Sequence, residues 1–369
     1  MDAIAQLEER LGRYPAERYP VQHATAQFHL GVELTNRGRA EEAVHALRAA
    51  VELFDRDGLR SERAKALNAL GVALRLADRV DEAADTFNEA AAGLAGAERG
   101  AALYNLGLAK RDAGDLDAAR AAFERASESL DSPAVARELG TTLLQQGELD
   151  AAVALLGDAS EQGDEAARGA AANALGLAQL AAGRFDAAVD AFRRALAAHP
   201  RTVRPTEYAM TKANLALAYE RAGDERRARL AARQALGVHS IPVAIATQAR
   251  DVLARVGEGE HDLVAVLEDE PRERWPAVVR EEVVRWADTD DKRAELAEWV
   301  AGLCSRPDDA VDLAEAWLAA LLELPPEQMA VLAQATPRQS EWFRDVVASA
   351  CARFHTPQLL RLREAFRWS

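Results

Sequence analysis

Apolar residues recur at helical spacing through the first two-thirds of the chain, and small residues interrupt them at fixed offsets. Six segments share one arrangement. Each has Leu-Gly or Leu-Ala, then a glycine seven residues on, then an alanine twelve residues on. The first element is Leu30-Gly31, Leu70-Gly71, Leu106-Gly107, Leu139-Gly140, Leu175-Gly176 and Leu215-Ala216. The second mark is Gly38, Gly114, Gly147, Gly183 and Gly223, with Asp78 standing in its place in the second segment. The third is Ala43, Ala83, Ala119, Ala152, Ala188 and Ala228. Four residues past each alanine stands Leu47, Phe87, Phe123, Leu156, Phe192 or Ala232.

Each mark has a physical meaning. Two helices approach closely only where side chains are small, which explains glycine or alanine at the first and third marks. The middle glycine suits a left-handed helix end and the turn after it. The large apolar residue fills the space beside its partner helix. One such pair cannot bury both of its faces, so the pairs must stack. A short helix over about 3–11, broken by Pro15 and Pro20, reads as an N-terminal cap within residues 1–20. Residues 243–256 read as a further amphipathic helix within a closing segment 241–259.

These marks resemble the tetratricopeptide-repeat (TPR) family over about residues 20–237. The first marks lie 40, 36, 33, 36 and 40 residues apart, longer than the family's basic unit. That spacing is similar to the longer-repeat TPRs of kinesin light chains and bacterial peptide-sensing regulators. The resemblance implies an all-α fold: a right-handed superhelical solenoid of six TPR helix pairs over 21–240, followed by a helical C-terminal module over 260–369. It also implies that the first helix of each pair lines a concave groove. The matching positions include Phe28, Asn68, Arg75, Tyr104, Arg111, Arg137 and Asn173, with Asn105 and Asn214 shifted by one. Asparagine amides both donate and accept, which suits the backbone of an extended ligand. The arginines suit acidic ligand groups, and the aromatics suit apolar pockets. Some chaperone-binding TPRs grip a terminal carboxylate with lysine and asparagine from the first helix. Phe28 and Val32 occupy those places in the first repeat, which departs from that clamp.

Past residue 260 the repeat marks stop. All six tryptophans lie there, while all five tyrosines lie before it. Helices are expected over about 262–268, 274–287, 291–303, 308–324, 326–333, 337–353 and 357–366, with Asp308 and Thr336 as N-terminal caps. Tryptophans are more often core than site. Residues 241–369 carry 15 Lys/Arg against 24 Asp/Glu, whereas the sixth repeat is locally basic. The acidic module is therefore expected to dock on that basic end.

The net charge of −15 argues against nucleic acid as a partner. No apolar stretch is long enough for a membrane span, and residues 1–10 do not read as a leader. Cys304 and Cys351 read as buried reduced thiols, so a cytoplasmic setting is expected. Heavy alanine use and arginine in place of lysine suggest a GC-rich bacterial gene. The chain has no His-Glu-x-x-His motif, no Cys/His metal spacing, no phosphate loop and no Gly-x-Ser-x-Gly element. The acidic runs 268–270 and 288–291 lack the glycine of a calcium loop. His23 and His29 read as structural. The expectation is a non-enzymatic adaptor without cofactor or metal, whose partner is a protein or peptide; homo-oligomerisation stays open. The alternatives are a ligand-responsive sensor, or an enzyme built on the C-terminal helices.

Overall fold

The computed structural model describes residues 3–201, 203–238, 240–257, 263, 267, 272–288, 292–304, 306–337 and 341–367. All regular structure among them is helical, and the chain is an all-α solenoid of helix pairs. It divides into two compact units, Met1–Ala182 and Gly183–Ser369.

The first unit opens with α1 (Ala3–Arg13). Four hairpins follow: α2 (Pro20–Asn36) with α3 (Ala40–Arg56), α4 (Arg60–Leu76) with α5 (Val80–Gly93), α6 (Gly96–Asp112) with α7 (Leu116–Ser127), and α8 (Pro133–Gln146) with α9 (Leu149–Ala159). It ends with α10 (Glu165–Ala181). The marks do what their chemistry requires. A methyl group placed on Gly71 would stand 2.6 Å from the Phe87 ring, on Gly107 2.6 Å from the Phe123 ring, and on Gly140 2.6 Å from Leu156. Gly31 faces Leu47 in the same way. Carbon atoms in contact normally sit about 3.5–4.0 Å apart, so only glycine fits. At the hairpin turns, Gly38, Gly114 and Gly147 take φ of 73°, 80° and 83°. Asp78, the departure from the glycine rule, takes the same left-handed backbone at φ 60°. Aspartate is among the few side chains that tolerate it.

The second unit continues the pattern with α11 (Phe185–Ala198), α12 (Pro205–Ala222), α13 (Glu225–Leu236) and α14 (Val243–Val256). Here the first mark is Ala216, and its partner sixteen residues on has shrunk to Ala232; both are fully buried. The extra methyl at one position is matched by the loss of a large side chain at the other. A 3₁₀ turn over Arg272–Arg274 leads into α15 (Trp275–Asp288), α16 (Lys292–Cys304), α17 (Ala310–Glu323), α18 (Pro326–Ala335), α19 (Glu341–Cys351) and α20 (Thr356–Phe366). Trp286, Trp299 and Trp317 are fully buried in one apolar cluster, and Leu230 of α13 belongs to the same cluster.

The expected docking on the sixth repeat is therefore visible in this unit. Lys212 Nζ on α12 pairs with Glu281 Oε2 on α15 at 2.5 Å. Gln234 Nε2 on α13 donates to Glu282 Oε1 at 2.5 Å. Arg285 crosses the end of α13, where a methyl on Gly237 would meet its Cγ at 2.9 Å. Burial alone would lower the Arg285 pKa. Glu282 and Glu295, both within 2.8 Å, outweigh that and hold it above its ordinary value.

Three expectations fail. Thr336 ends α18: its hydroxyl donates to the Leu332 carbonyl at 2.9 Å, and the next described helix, α19, is Glu341–Cys351. Cys304 is exposed and Cys351 half-buried, so neither is a core thiol; at the end of α16 it is Leu303 that points inward. Helix α17 starts at Ala310, two residues after the cap expected at Asp308. Of the helix expected over 262–268 only Leu263 and Leu267 are described, both helical and buried; the acidic residues 268–270 and 289–291, His239, His261 and Trp368 lie outside the described residues.

Candidate functional site: the first-helix face

In the first unit the first helices of the pairs touch in chain order, α2 to α4 to α6 to α8 to α10. They form a continuous surface distinct from that of the second helices. Eight of the nine candidate residues lie on these helices: Phe28 on α2, Asn68 and Arg75 on α4, Tyr104, Asn105 and Arg111 on α6, Arg137 on α8 and Asn173 on α10. Asn214 lies on α12, in the second unit.

The middle of the surface is knit together by polar contacts between neighbouring first helices. Asn105 Nδ2 on α6 donates to Asn68 Oδ1 on α4 at 3.0 Å. One turn or two further along, Arg75 Nη1 on α4 donates to Asp112 Oδ2 on α6 at 2.9 Å. Arg111 on α6 grips Glu138 on α8. Arg137, next to Glu138 in the chain, holds its other oxygen at 2.5 and 3.1 Å. Glu138 is 8% exposed and carries its charge between two guanidiniums. Such a carboxylate would be costly to bury without them.

Tyr104 stands beside this cluster, half-buried, with its ring 5.8 Å from that of Phe123. Burial raises its phenol pKa and Glu138 adds to the rise, while Arg137, Arg111 and Arg75 oppose it. Phe28 is half-buried at the other end of the surface, packed against the apolar clusters of the first hairpins and edge-on to His29 at 5.3 Å.

The nine residues are thus not equivalent. Asn68, Arg75, Tyr104, Asn105, Arg111 and Arg137 form one patch with Glu138 and Asp112. Asn173 is buried. Asn214 is buried too, and its Oδ1 accepts from Gln248 Nε2 of α14 at 2.9 Å. All three arginines already have a carboxylate. Asp112 and Glu138 were missed by sequence reasoning, although each directly follows a candidate arginine: Asp112 follows Arg111, and Glu138 follows Arg137.

His23 turns Nδ1 onto the Tyr14 carbonyl at 2.7 Å, and His29 is exposed on another side of α2. Among the described residues no group of three His, Cys, Asp or Glu is placed to hold a metal ion. None of the described helices is long and apolar enough to cross a membrane.

Comparison with known proteins bears on the same helices. The tetratricopeptide repeat family profile matches residues 28–98, 104–167 and 137–202. No curated protein matches the chain. Among solved structures it is similar to YrrB, a TPR protein with an unusual peptide-binding site, at 19% identity and a TM-score of 0.39, over 54% of this chain and 93% of that one. It is similar to a MamA structure (MSR-1) at 24% identity and a TM-score of 0.37, over 53% and 99%. A tetratricopeptide repeat protein from Parabacteroides merdae ATCC 43184 aligns at 11% identity and a TM-score of 0.46, over 89% and 98%. The matched residues span α2 to α11, and the steric marks found in their hairpins are those of the family: this chain is a tetratricopeptide-repeat protein.

Proposed function

We propose that this TPR protein is an adaptor that holds an extended peptide segment of a partner protein on the first-helix face of repeats two to four. TPR proteins are in general protein-interaction scaffolds, and one observation gives this chain a specific place for the contact. Asn105 and Asn68 are bonded to each other through one donor and one acceptor. An asparagine amide has two donor hydrogens and an acceptor with two lone pairs. The pair therefore keeps Asn68 Nδ2 as a donor and Asn105 Oδ1 as an acceptor, side by side. Flipping both amides leaves the same count. One donor beside one acceptor is what a peptide unit needs, since it offers a carbonyl and an N–H.

The neighbours fit this use. Tyr104 offers half-buried aromatic surface beside the pair. Arg75, Arg111 and Arg137 outnumber Asp112 and Glu138, so the patch keeps a positive excess that favours acidic side chains in the ligand. Nothing in the patch supplies a nucleophile with an adjacent base, and the reading is of a binding surface rather than a catalytic one.

The test is selection of binding peptides from a displayed library on the full chain, followed by affinity measurement on variants. Asn68→Ala with Asn105→Ala should weaken a selected peptide by about fivefold to 150-fold, the value of two hydrogen bonds. Arg120→Ala, exposed on the second helix α7, should change it less than twofold. Equal loss, or no loss, in both variants refutes the assignment.

A further inference from the structure

The second unit holds a cavity of about 240 Å³ that lies off the groove. The groove stripe expected on α12 is Ala213, Leu217 and Glu220, whereas the cavity is lined from α12 by Lys212, Leu215 and Tyr219. Its other walls are the second helices α11 and α13, and α15 closes it. It therefore sits on the back of the repeats, under the C-terminal module.

The polar side chains of the lining are answered from within the protein. Lys212 Nζ pairs with Glu281 Oε2 at 2.5 Å, and both belong to the lining. Gln234 Nε2 donates to Glu282 Oε1 at 2.5 Å. Arg227 Nη1 lies 3.2 Å from Asp224 Oδ2, and Arg193 Nη2 donates to the Tyr219 hydroxyl at 3.0 Å. A charged ligand would have to break one of these pairs or enter without a partner of its own, and either is costly in a partly dry space. What the cavity offers beyond its own pairs is hydrocarbon. Leu196 of α11, Leu215 of α12, Leu230 and Ala231 of α13 and Val278 of α15 supply it, so all four helices contribute apolar wall.

We propose that this cavity binds a small, neutral, apolar molecule of one or two rings. Water competes for the same space, but its hydrogen bonds would have to be made with groups that already have partners. A hydrocarbon surface therefore displaces it at a net gain. Size sets the class. A closed apolar cavity of about 150 Å³ takes up a benzene ring. This one is larger, yet below the ~300 Å³ at which drug-sized sites begin. A rigid ring also gives up little conformational freedom on entry, unlike an aliphatic chain of the same volume. Because the occupant touches α11, α12 and α13 on one side and α15 on the other, it stabilises the seat of α15 by mass action. The docking of the C-terminal module thereby becomes responsive to a ligand. This site goes beyond the peptide-binding reading and does not depend on it.

The experiment is calorimetric titration of the full chain with indole at two temperatures, beside pyrazole, indole-3-carboxylate and N-acetyl-tryptophan amide. Indole should saturate with a dissociation constant of about 1 mM or below, a modest affinity for so few atoms. Its binding should carry a negative heat-capacity change, the mark of apolar burial. Pyrazole, a neutral ring with far less hydrocarbon, should bind at least about tenfold more weakly. Indole-3-carboxylate should bind more weakly because of its charge, and N-acetyl-tryptophan amide because of its bulk. Ala197 on α11 and Ala277 on α15 line the cavity and are exposed, so they give variants on two different walls. Ala197→Trp and Ala277→Trp should each abolish indole binding while the circular dichroism spectrum stays unchanged. Indole should also slow hydrogen exchange in α15 and leave α4 to α7 as they were. No indole binding at about 5 mM, well above the expected constant, would overturn the proposal. So would indole-3-carboxylate binding as tightly as indole, a heat-capacity change near zero, or unchanged binding in both tryptophan variants. Tighter binding of N-acetyl-tryptophan amide would overturn it too, since the occupant would then be a side chain of a partner protein.

Discussion

The glycine at the first mark can be tested at Gly107, where its effect separates cleanly from helix propensity. Adding a methyl there places it 2.6, 2.7 and 2.8 Å from three consecutive atoms on one edge of the Phe123 ring. The shortfall against normal contact is about 1 Å. The ring cannot simply turn away. It is fully buried, and Tyr104 lies 5.8 Å from it. The methyl must push the ring or spread α6 from α7, and overpacking of this kind costs about 1–3 kcal/mol. Against that, replacing glycine by alanine inside a helix contributes about 1 kcal/mol of stability. Gly157 in α9 isolates the second effect, because nothing lies within 4 Å of a methyl added there. The quantity to measure is the difference between Gly107→Ala and Gly157→Ala, expected at about 1–3 kcal/mol, or roughly fivefold to 150-fold in the opening equilibrium of the helices concerned.

Stacked repeats do not melt as one two-state unit, so the readout is local: native-state hydrogen exchange of amides in α6 and α7 against those in α9. The sixth repeat supplies the rescue. There alanine at the first mark meets alanine, Ala216 with Ala232. In a Phe123→Ala background, measured in stabilising osmolyte because that change alone costs about 3–5 kcal/mol, Gly107→Ala should turn from destabilising to stabilising. If Gly107→Ala slows exchange in α6 as much as Gly157→Ala does in α9, or if its effect is the same in both backgrounds, the steric reasoning is wrong. The same variant should weaken the selected peptide, since Phe123 moves Tyr104 when it moves.

Two further outcomes follow from the second unit. Hydrogen bonding by Arg255 at 2.5 and 2.8 Å, countered in part by burial, holds the Glu220 pKa below its ordinary value and ties α14 to α12; a depressed carboxyl contributes stability above the unfolded pKa of about 4.3 that is lost as pH falls through the lower folded value, so the protection of α14 amides, taken relative to their intrinsic exchange at each pH, should fall on acidification below that point and Arg255→Gln should flatten the dependence. Gly237→Val should release the C-terminal helices, because its side chain would occupy the space of the Arg285 stem 2.9 Å away; faster proteolysis within 263–304 with α4 to α7 still protected is the expected pattern, and unchanged proteolysis contradicts it.

What could be read in the chain was whatever is local and steric. The six first marks, the left-handed turns and the limits of α14 at 243 and 256 follow from residue size and backbone freedom within one hairpin. Even Asp78 fits, since it takes the backbone that glycine takes elsewhere. The contacts that define the patch were not readable. Arg75 with Asp112 and Arg111 with Glu138 join residues 37 and 27 apart, and which acid meets which arginine depends on how successive hairpins are rotated. Thr336 shows a different limit: a hydroxyl before a proline suits a helix start, yet the same hydroxyl can return to the carbonyl four residues back and close the previous helix.

The sixth repeat shows why the array ends where it does. A first helix in a solenoid normally keeps a polar stripe in water, but residues 211–216 of α12 are buried without interruption, Lys212 and Asn214 among them. The side carrying Asn214 is taken by Gln248 of α14, and the side carrying Lys212 by Glu281 of α15. A helix covered this way has no face on which a further repeat could stack, so the two coverings together act as the cap that a solenoid end requires. The polar partners do not have to add net stability to serve this role, since buried ion pairs often contribute little beyond the cost of desolvating them. Their weight lies in discrimination. A C-terminal module shifted by one turn would leave Lys212 and Gln234 without Glu281 and Glu282, and that error is far more costly than a misplaced leucine. The apolar cluster around Leu230 and the tryptophans draws the module to the end of the repeats; the charged and amide pairs decide where on that end it sits.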